Sequence, residues 1–277
     1  MIKKWSIWLC LSFCALTAQA QRHWGMPFSG LYDENEILHL GFFFTYQTSY
    51  YKATKKPGWE NTDGGAAGQR LVGIATPAAM GGLGFGIPVD VRLGENTNFI
   101  LKPTYLIFSN QAVEYTFAKT LYSDEKLPYT TVKKYHKEDL QNNSPDGLDR
   151  NFFAFEMPIL LKFKSDMKKI YGQDKYRGYV VGGAKFTRNI GRNKYYDNLT
   201  ENPAEYMPLI VKPYYFSYEA GVGVDLFFDY FKMSAELKWS QSMNSILDKK
   251  WNARPNPYME PLDKLLLRSI QFSLIFE

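Results

Sequence analysis

Two cysteines occur in 277 residues, and both, Cys10 and Cys14, fall within the first twenty. Beyond that segment the chain has no disulfide framework and no cysteine-ligated metal site. Histidine is almost as scarce, with only His23, His39 and His136 available as imidazole bases or ligands. After the first twenty residues no uninterrupted apolar run approaches the ~18 residues that a transmembrane helix needs, which excludes a helical membrane protein. An excess of one charge is missing too. The 33 basic and 28 acidic residues give +5 at pH 7; loss of Lys3 and Lys4 with a leader would leave 31 against 28, a formal +3. That balance argues against a nucleic-acid partner.

The first residues read as a leader. Lys3 and Lys4 precede the mostly apolar Trp5 to Leu16, and Ala18-Gln19-Ala20 offers small residues for cleavage before Gln21. Leu9 before Cys10 and Phe13 before Cys14 are too large for a lipoprotein signal. The expected organisation is a signal peptide at 1–20, a periplasmic segment at 21–36 and one β domain at 37–277.

What the chain does have is alternation. Leu40, Phe42, Phe44 and Tyr46 share one face of a strand with Thr48 and Tyr50, while His39, Gly41, Phe43, Thr45, Gln47 and Ser49 share the other. Such a period of two recurs over 37–50, 82–93, 97–117, 151–164, 176–190, 213–227, 231–243 and 265–276. The connections 94–96, 165–175 and 228–230 are short, whereas 51–81, 118–150, 191–212 and 244–264 are long. The expected fold is therefore all-β: an eight-stranded antiparallel transmembrane β-barrel with four long extracellular loops, both termini in the periplasm and the outer membrane as its location.

Particular residues sharpen this expectation. The fifth strand has an ambiguous register, because Val180, Ala184 and Phe186 compete with Tyr179 and Val181 for the outside. Pro88, Pro103 and Pro158 lie within strands and predict bulges or bends, and Pro213 opens one. Phe227, Phe228, Tyr230 and Phe231 near one end, and Tyr50, Tyr51, Tyr214 and Tyr215 near the other, fit aromatic girdles. The last strand alternates through Leu266, Ile270, Phe272, Leu274 and Phe276, interrupted by Arg268, and its aromatic end is similar to an outer-membrane assembly signal.

The registers place Asp90, Glu156, Glu219, Asp225 and Glu236 in the lumen with Arg92, Lys102, Lys162, Lys232 and Lys238. Eight strands leave a lumen that side chains fill, and buried charges there must pair. A self-neutralising polar plug is expected, with a proton or ion pathway as the alternative. Catalytic candidates are poor: His39 opens a strand and His136 sits in a long loop of mixed charge, neither with an evident nucleophile and orienting acid. Asp146, Gly147 and Asp149 lack calcium-loop spacing. No catalytic residue, metal or cofactor is assigned, and the expected contacts are outer-membrane lipid and protein partners.

Three stretches carry a resemblance: Leu38-His39-Leu40-Gly41-Phe42, Phe155-Glu156-Met157-Pro158-Ile159-Leu160-Leu161-Lys162-Phe163-Lys164-Ser165, and Tyr179-Val180-Val181-Gly182-Gly183-Ala184-Lys185. They resemble the PorT-type outer-membrane barrels of Bacteroidota. The resemblance implies a non-enzymatic accessory of type IX protein secretion, a route often linked to gliding motility, working within a secretion or envelope complex. The alternatives are a structural or adhesive small barrel, and a lipid-modifying or proteolytic barrel enzyme.

Overall fold

A computed structural model describes residues 31–61, 69–76, 81–107, 112–119, 129–136, 153–170, 173–190, 211–248 and 258–277. The expected signal peptide, His23 and the Asp146 to Asp149 stretch lie outside them. Eight strands pair antiparallel in chain order. They are β1 (Leu38–Leu40 and Phe42–Lys55), β2 (Gly81–Gly86 and Val89–Arg92), β3 (Thr97–Leu101 and Thr104–Ile107), β4 (Ala154–Lys164), β5 (Gln173–Asn189), β6 (Tyr214–Phe227), β7 (Lys232–Ser242) and β8 (Leu262–Phe276). β8 pairs back onto β1 from Phe276 opposite Phe42 to Leu262 opposite Lys55, so the pairing runs round a ring.

The alternation is the one read from the residues. In β1 His39, Thr45, Gln47 and Ser49 are buried, while Phe44 is 58% exposed. The ambiguous β5 resolves with Tyr179 and Val181 inward at 5% and 4% exposed and Val180 outward at 51%. Leu83, Phe85, Ile159, Phe163, Phe216, Leu237 and Phe272 are all exposed on the outside. A water-soluble sandwich would bury such side chains, since each is worth roughly 1.5–3 kcal/mol when removed from water.

Of the bulges or bends expected at the prolines, no bulge forms, although the strand assignments break at 87–88 and 102–103. Leu40 opposite Val89 and Phe43 opposite Gly86 keep one register past Pro88, and the β2–β3 and β3–β4 ladders likewise continue unshifted past Pro103 and Pro158. Proline removes one amide donor yet leaves its carbonyl in place. Ile87 N donates to Pro103 O at 3.4 Å and Lys102 N to Pro158 O at 3.1 Å. Register shifts occur elsewhere, between Lys168 and Lys169, Leu262 and Lys264, and Leu71 and Gly73.

The segment expected as one strand over 97–117 is two. Its pairing in the ring is described as far as Ile107, and Ala112–Lys119 pairs instead with Gln69–Ala75 and Tyr129–His136 in a separate three-stranded sheet. The long connections 51–81 and 118–150 thus contribute strands of their own. Tyr51, Leu71, Val113, Tyr115, Leu262 and Leu265 lie in an apolar core at this far end of the ring. The girdle expectation fails for Tyr51, which is 3% exposed inside that core, and for Tyr215, which packs against it. Tyr214, Phe228 and Tyr230 do face outward.

Along β1 and β8 the polarity code inverts. Toward the chain termini Ser49, Ser269, Gln271 and Ser273 face inward and Tyr46, Ile270 and Phe272 outward; beyond that level Tyr51 and Leu265 face inward and Lys52 and Lys264 outward.

Candidate functional site

The interior of the ring is filled by ions. Lys102 Nζ meets both carboxylate oxygens of Glu236 at 2.8 and 3.0 Å. Lys238 then bridges Glu236 at 3.8 Å and Glu219 at 3.2 Å, and Lys185 bridges Glu219 at 2.9 Å and Glu156 at 3.1 Å. From Lys102 to Glu156 the charges alternate without a break. Nearer the termini a second column runs Lys162 to Asp225 at 2.8 Å, Asp225 to Arg177 at 3.0 Å and Arg177 to Glu34 at 2.6 Å, with Lys164 on Glu34 at 2.9 Å. Lys232 lies 2.7 Å from Glu277 and 3.7 Å from Asp90, and Asn98 Nδ2 donates to Asp90 at 2.6 Å.

Tyr179 couples the two columns. Its ring receives Lys162 Nζ 3.8 Å from the centroid, and its hydroxyl donates to Glu236 Oε2 at 3.1 Å. Gly223 lies directly opposite on β6, and a Cβ there would run into the Tyr179 ring. The glycine makes room for an aromatic side chain laid across the interior.

Each lumen residue expected from the alternation is buried in this network except Arg92. That side chain lies at the turn and donates to Gly94 O, Glu34 O and Asn35 Oδ1, so it ties down the N-terminal segment instead of neutralising an interior acid. Lys164, Arg177 and Lys185 are interior cations that the reading missed. Their signal was present: Arg177 and Lys185 share the parity of Tyr179 and Val181, and Lys164 shares that of Lys162. Glu34 was also missed, because it lies outside the strands and no periodicity marks it; Glu277 was missed although it follows β8 directly and keeps the inward parity of Ser273 and Ile275.

The N-terminal segment covers the near end. Tyr32 stacks on His39 with centroids 5.3 Å apart and leans on Phe227, while its amide donates to Asp229 O at 2.9 Å. His39 Nε2 lies 2.9 Å from Asp33 O. Burial raises the Glu34 carboxyl, but Lys232, Arg177 and Lys164 overcome it and hold its pKa down at about 2. With the apolar core over the far end, the ions are covered from both sides. His39 meets a backbone carbonyl and an aromatic ring; the side chain of His136 lies outside what is described. Among the described residues no group of three or more His, Cys, Asp or Glu is placed to hold a metal ion, and no helix is long and apolar enough to cross a membrane.

No protein-family model and no curated protein matches the chain. Among solved structures, the outer membrane protein OprG of Pseudomonas aeruginosa is similar over 85% of this chain and 93% of that chain, at 9% identity and a TM-score of 0.33. At that score the likeness decides nothing about this chain.

Proposed function

We propose that the ring is a closed eight-stranded barrel of the Gram-negative outer membrane, exported by the signal peptide at 1–20, with its four long loops outside the cell. Its role on this reading is that of a PorT-type, non-enzymatic accessory of type IX secretion that works through protein contacts and does not conduct cargo. The observation that carries the proposal is the inside-out distribution of polarity: Lys102, Lys162, Glu219 and Glu236 are buried within the ring while Phe44, Phe85, Phe216 and Phe272 are exposed around it. Lipid is the solvent that stabilises such a surface. Interior ion pairs that fill the ring support an accessory over a pore, because a polypeptide would have to break them to pass.

Cell fractionation with heat-modifiable gel migration tests the membrane reading, and a soluble mature protein ends it. Gene deletion tests the role: loss of secreted C-terminal-signal cargo supports the accessory. Altered adhesion or envelope integrity with normal secretion favours instead a structural or adhesive barrel, a second reading that draws on the folded sheet at the far end. Altered lipid A or an uncleaved substrate would overturn the non-enzymatic assignment.

A further inference from the structure

We propose that the outward face of β1 and β8 holds one phosphorylated, multiply acylated lipid of the outer leaflet. Its phosphate would lie among Lys52, Lys264 and Arg268, with an acyl chain in the apolar groove below. This rests on the outer-membrane reading. Pairing sets Leu266 opposite Lys52 and Arg268 opposite Tyr50, so Lys52 is a diagonal neighbour of both Lys264 and Arg268. Diagonal neighbours stand roughly 7–8 Å apart, within reach of one phosphate for long side chains. Arg268 is held in place, with Nε donating to Gln241 Oε1 at 2.7 Å and Gln241 Nε2 donating to the Tyr218 hydroxyl at 2.6 Å.

The contrast with the interior points to a ligand. Lys102, Lys162, Lys164, Arg177, Lys185, Lys232 and Lys238 each have a carboxylate partner, whereas among the described residues none pairs with Lys52, Lys264 or Arg268. The three cations also sit where the polarity code inverts, which is the level of the membrane interface and of lipid phosphates. Below them Phe44, Tyr46, Leu83, Phe85, Phe272 and Leu274 line an apolar groove of about 390 Å³. Phe272 follows Arg268 by four residues, about 13 Å along a strand. Charge above on β1 and β8, and below it a groove that these two strands share with β2, match the head and tail of one lipid.

The test uses the full mature protein in detergent, with diphosphoryl hexa-acyl lipid A as probe and native mass spectrometry as readout. Lys52→Gln, Lys264→Gln and Arg268→Gln together are expected to weaken binding on the order of a hundredfold, about fivefold per cation. Lys168→Gln, at the opposite end, should leave binding unchanged. The same lipid stripped of phosphate should bind the wild type as weakly as the triple variant binds the intact probe. Unchanged binding by a folded triple variant, equal binding of the stripped lipid, or equal displacement by inorganic phosphate would each overturn the site. Should the triple variant not fold, exposed Lys52→Gln alone must show its fivefold loss or the proposal fails. Wild type that does not enter vesicles refutes the barrel reading itself; wild type that enters them yet binds no lipid A refutes only this site.

Discussion

Lys102 and Glu236 face each other across the whole ring: β3 and β7 are four strands apart in either direction, yet the ammonium reaches both carboxylate oxygens. Removing one partner strands the other in a covered interior, which typically costs about 3–5 kcal/mol. Glu236→Ala should lower urea stability in detergent by about that much, since Lys238 and Tyr179 lose a partner as well. Lys102→Met combined with Glu236→Met should recover part of the loss. A double variant no more stable than Glu236→Ala would show that the two do not act as a unit.

Glu156 and Ile159 lie three residues apart on β4 and should fail differently. Glu156→Ala leaves Lys185 with Glu219, so its cost should sit near the lower end, about 3 kcal/mol. Glu219→Ala deprives Lys185 and Lys238 together and should cost more. Ile159→Lys instead places a cation on the outward face, at roughly 2–4 kcal/mol near mid-depth, and should impair membrane insertion. Folded fraction and cargo secretion would be measured side by side. Wild-type stability with secretion abolished in Glu156→Ala would make Glu156 a functional site, and normal insertion of Ile159→Lys would refute the outward assignment.

The N-terminal seal should be sensitive to acid. Glu34 has a folded pKa of about 2 against an ordinary 4.5, so its contribution is complete above about pH 4.5 and fades as pH falls toward 2. Its full size is on the order of 2–3 kcal/mol. The protection of the Tyr32 amide, whose N–H bonds Asp229 O, relative to its intrinsic exchange rate should fall over that window in the wild type. In Glu34→Gln the protection should be low throughout and lack that component of the pH dependence. Identical profiles for the two proteins would remove Glu34 from the seal.

Gly223→Val should act on a residue across the strand pair. Its side chain would displace the Tyr179 ring and release both Lys162 and Glu236 from it. A loss of about 2 kcal/mol or more is expected, in the range for overpacking joined to a broken polar contact. Tyr179→Ala combined with Gly223→Val should be less harmful than the sum of the two single changes. Strict additivity would exclude this contact.

Where Thr45, Gln47 and Ser49 on one face of β1 alternate with Phe42, Phe44 and Tyr46 on the other, the residues suffice to give direction and register. β5 was harder because the interior itself holds aromatic and aliphatic groups, so Tyr179 and Val181 point inward among lysines and blur the contrast with Val180. The loop strands escaped for a different reason. Ala112–Lys119 continues the apolar alternation of β3, and nothing local distinguishes a strand that stays in the ring from one that leaves it to pair with Gln69–Ala75. Glu34 completes the ion network from outside the period-two code, a match set by the folded N-terminal segment, whereas Glu277 extends the inward parity of β8 by one residue.

Pro88, Pro103 and Pro158 sit side by side in three adjacent strands around Lys102, and each withholds a rung from the ladder while the register carries on. The wall therefore has a perforated line on one side and unbroken ladders from β5 through β8. Hydrogen exchange should enter along that line first, and a lateral push from a docking protein would dent the ring there, with the Lys102 ammonium tether to Glu236 resisting like a spoke.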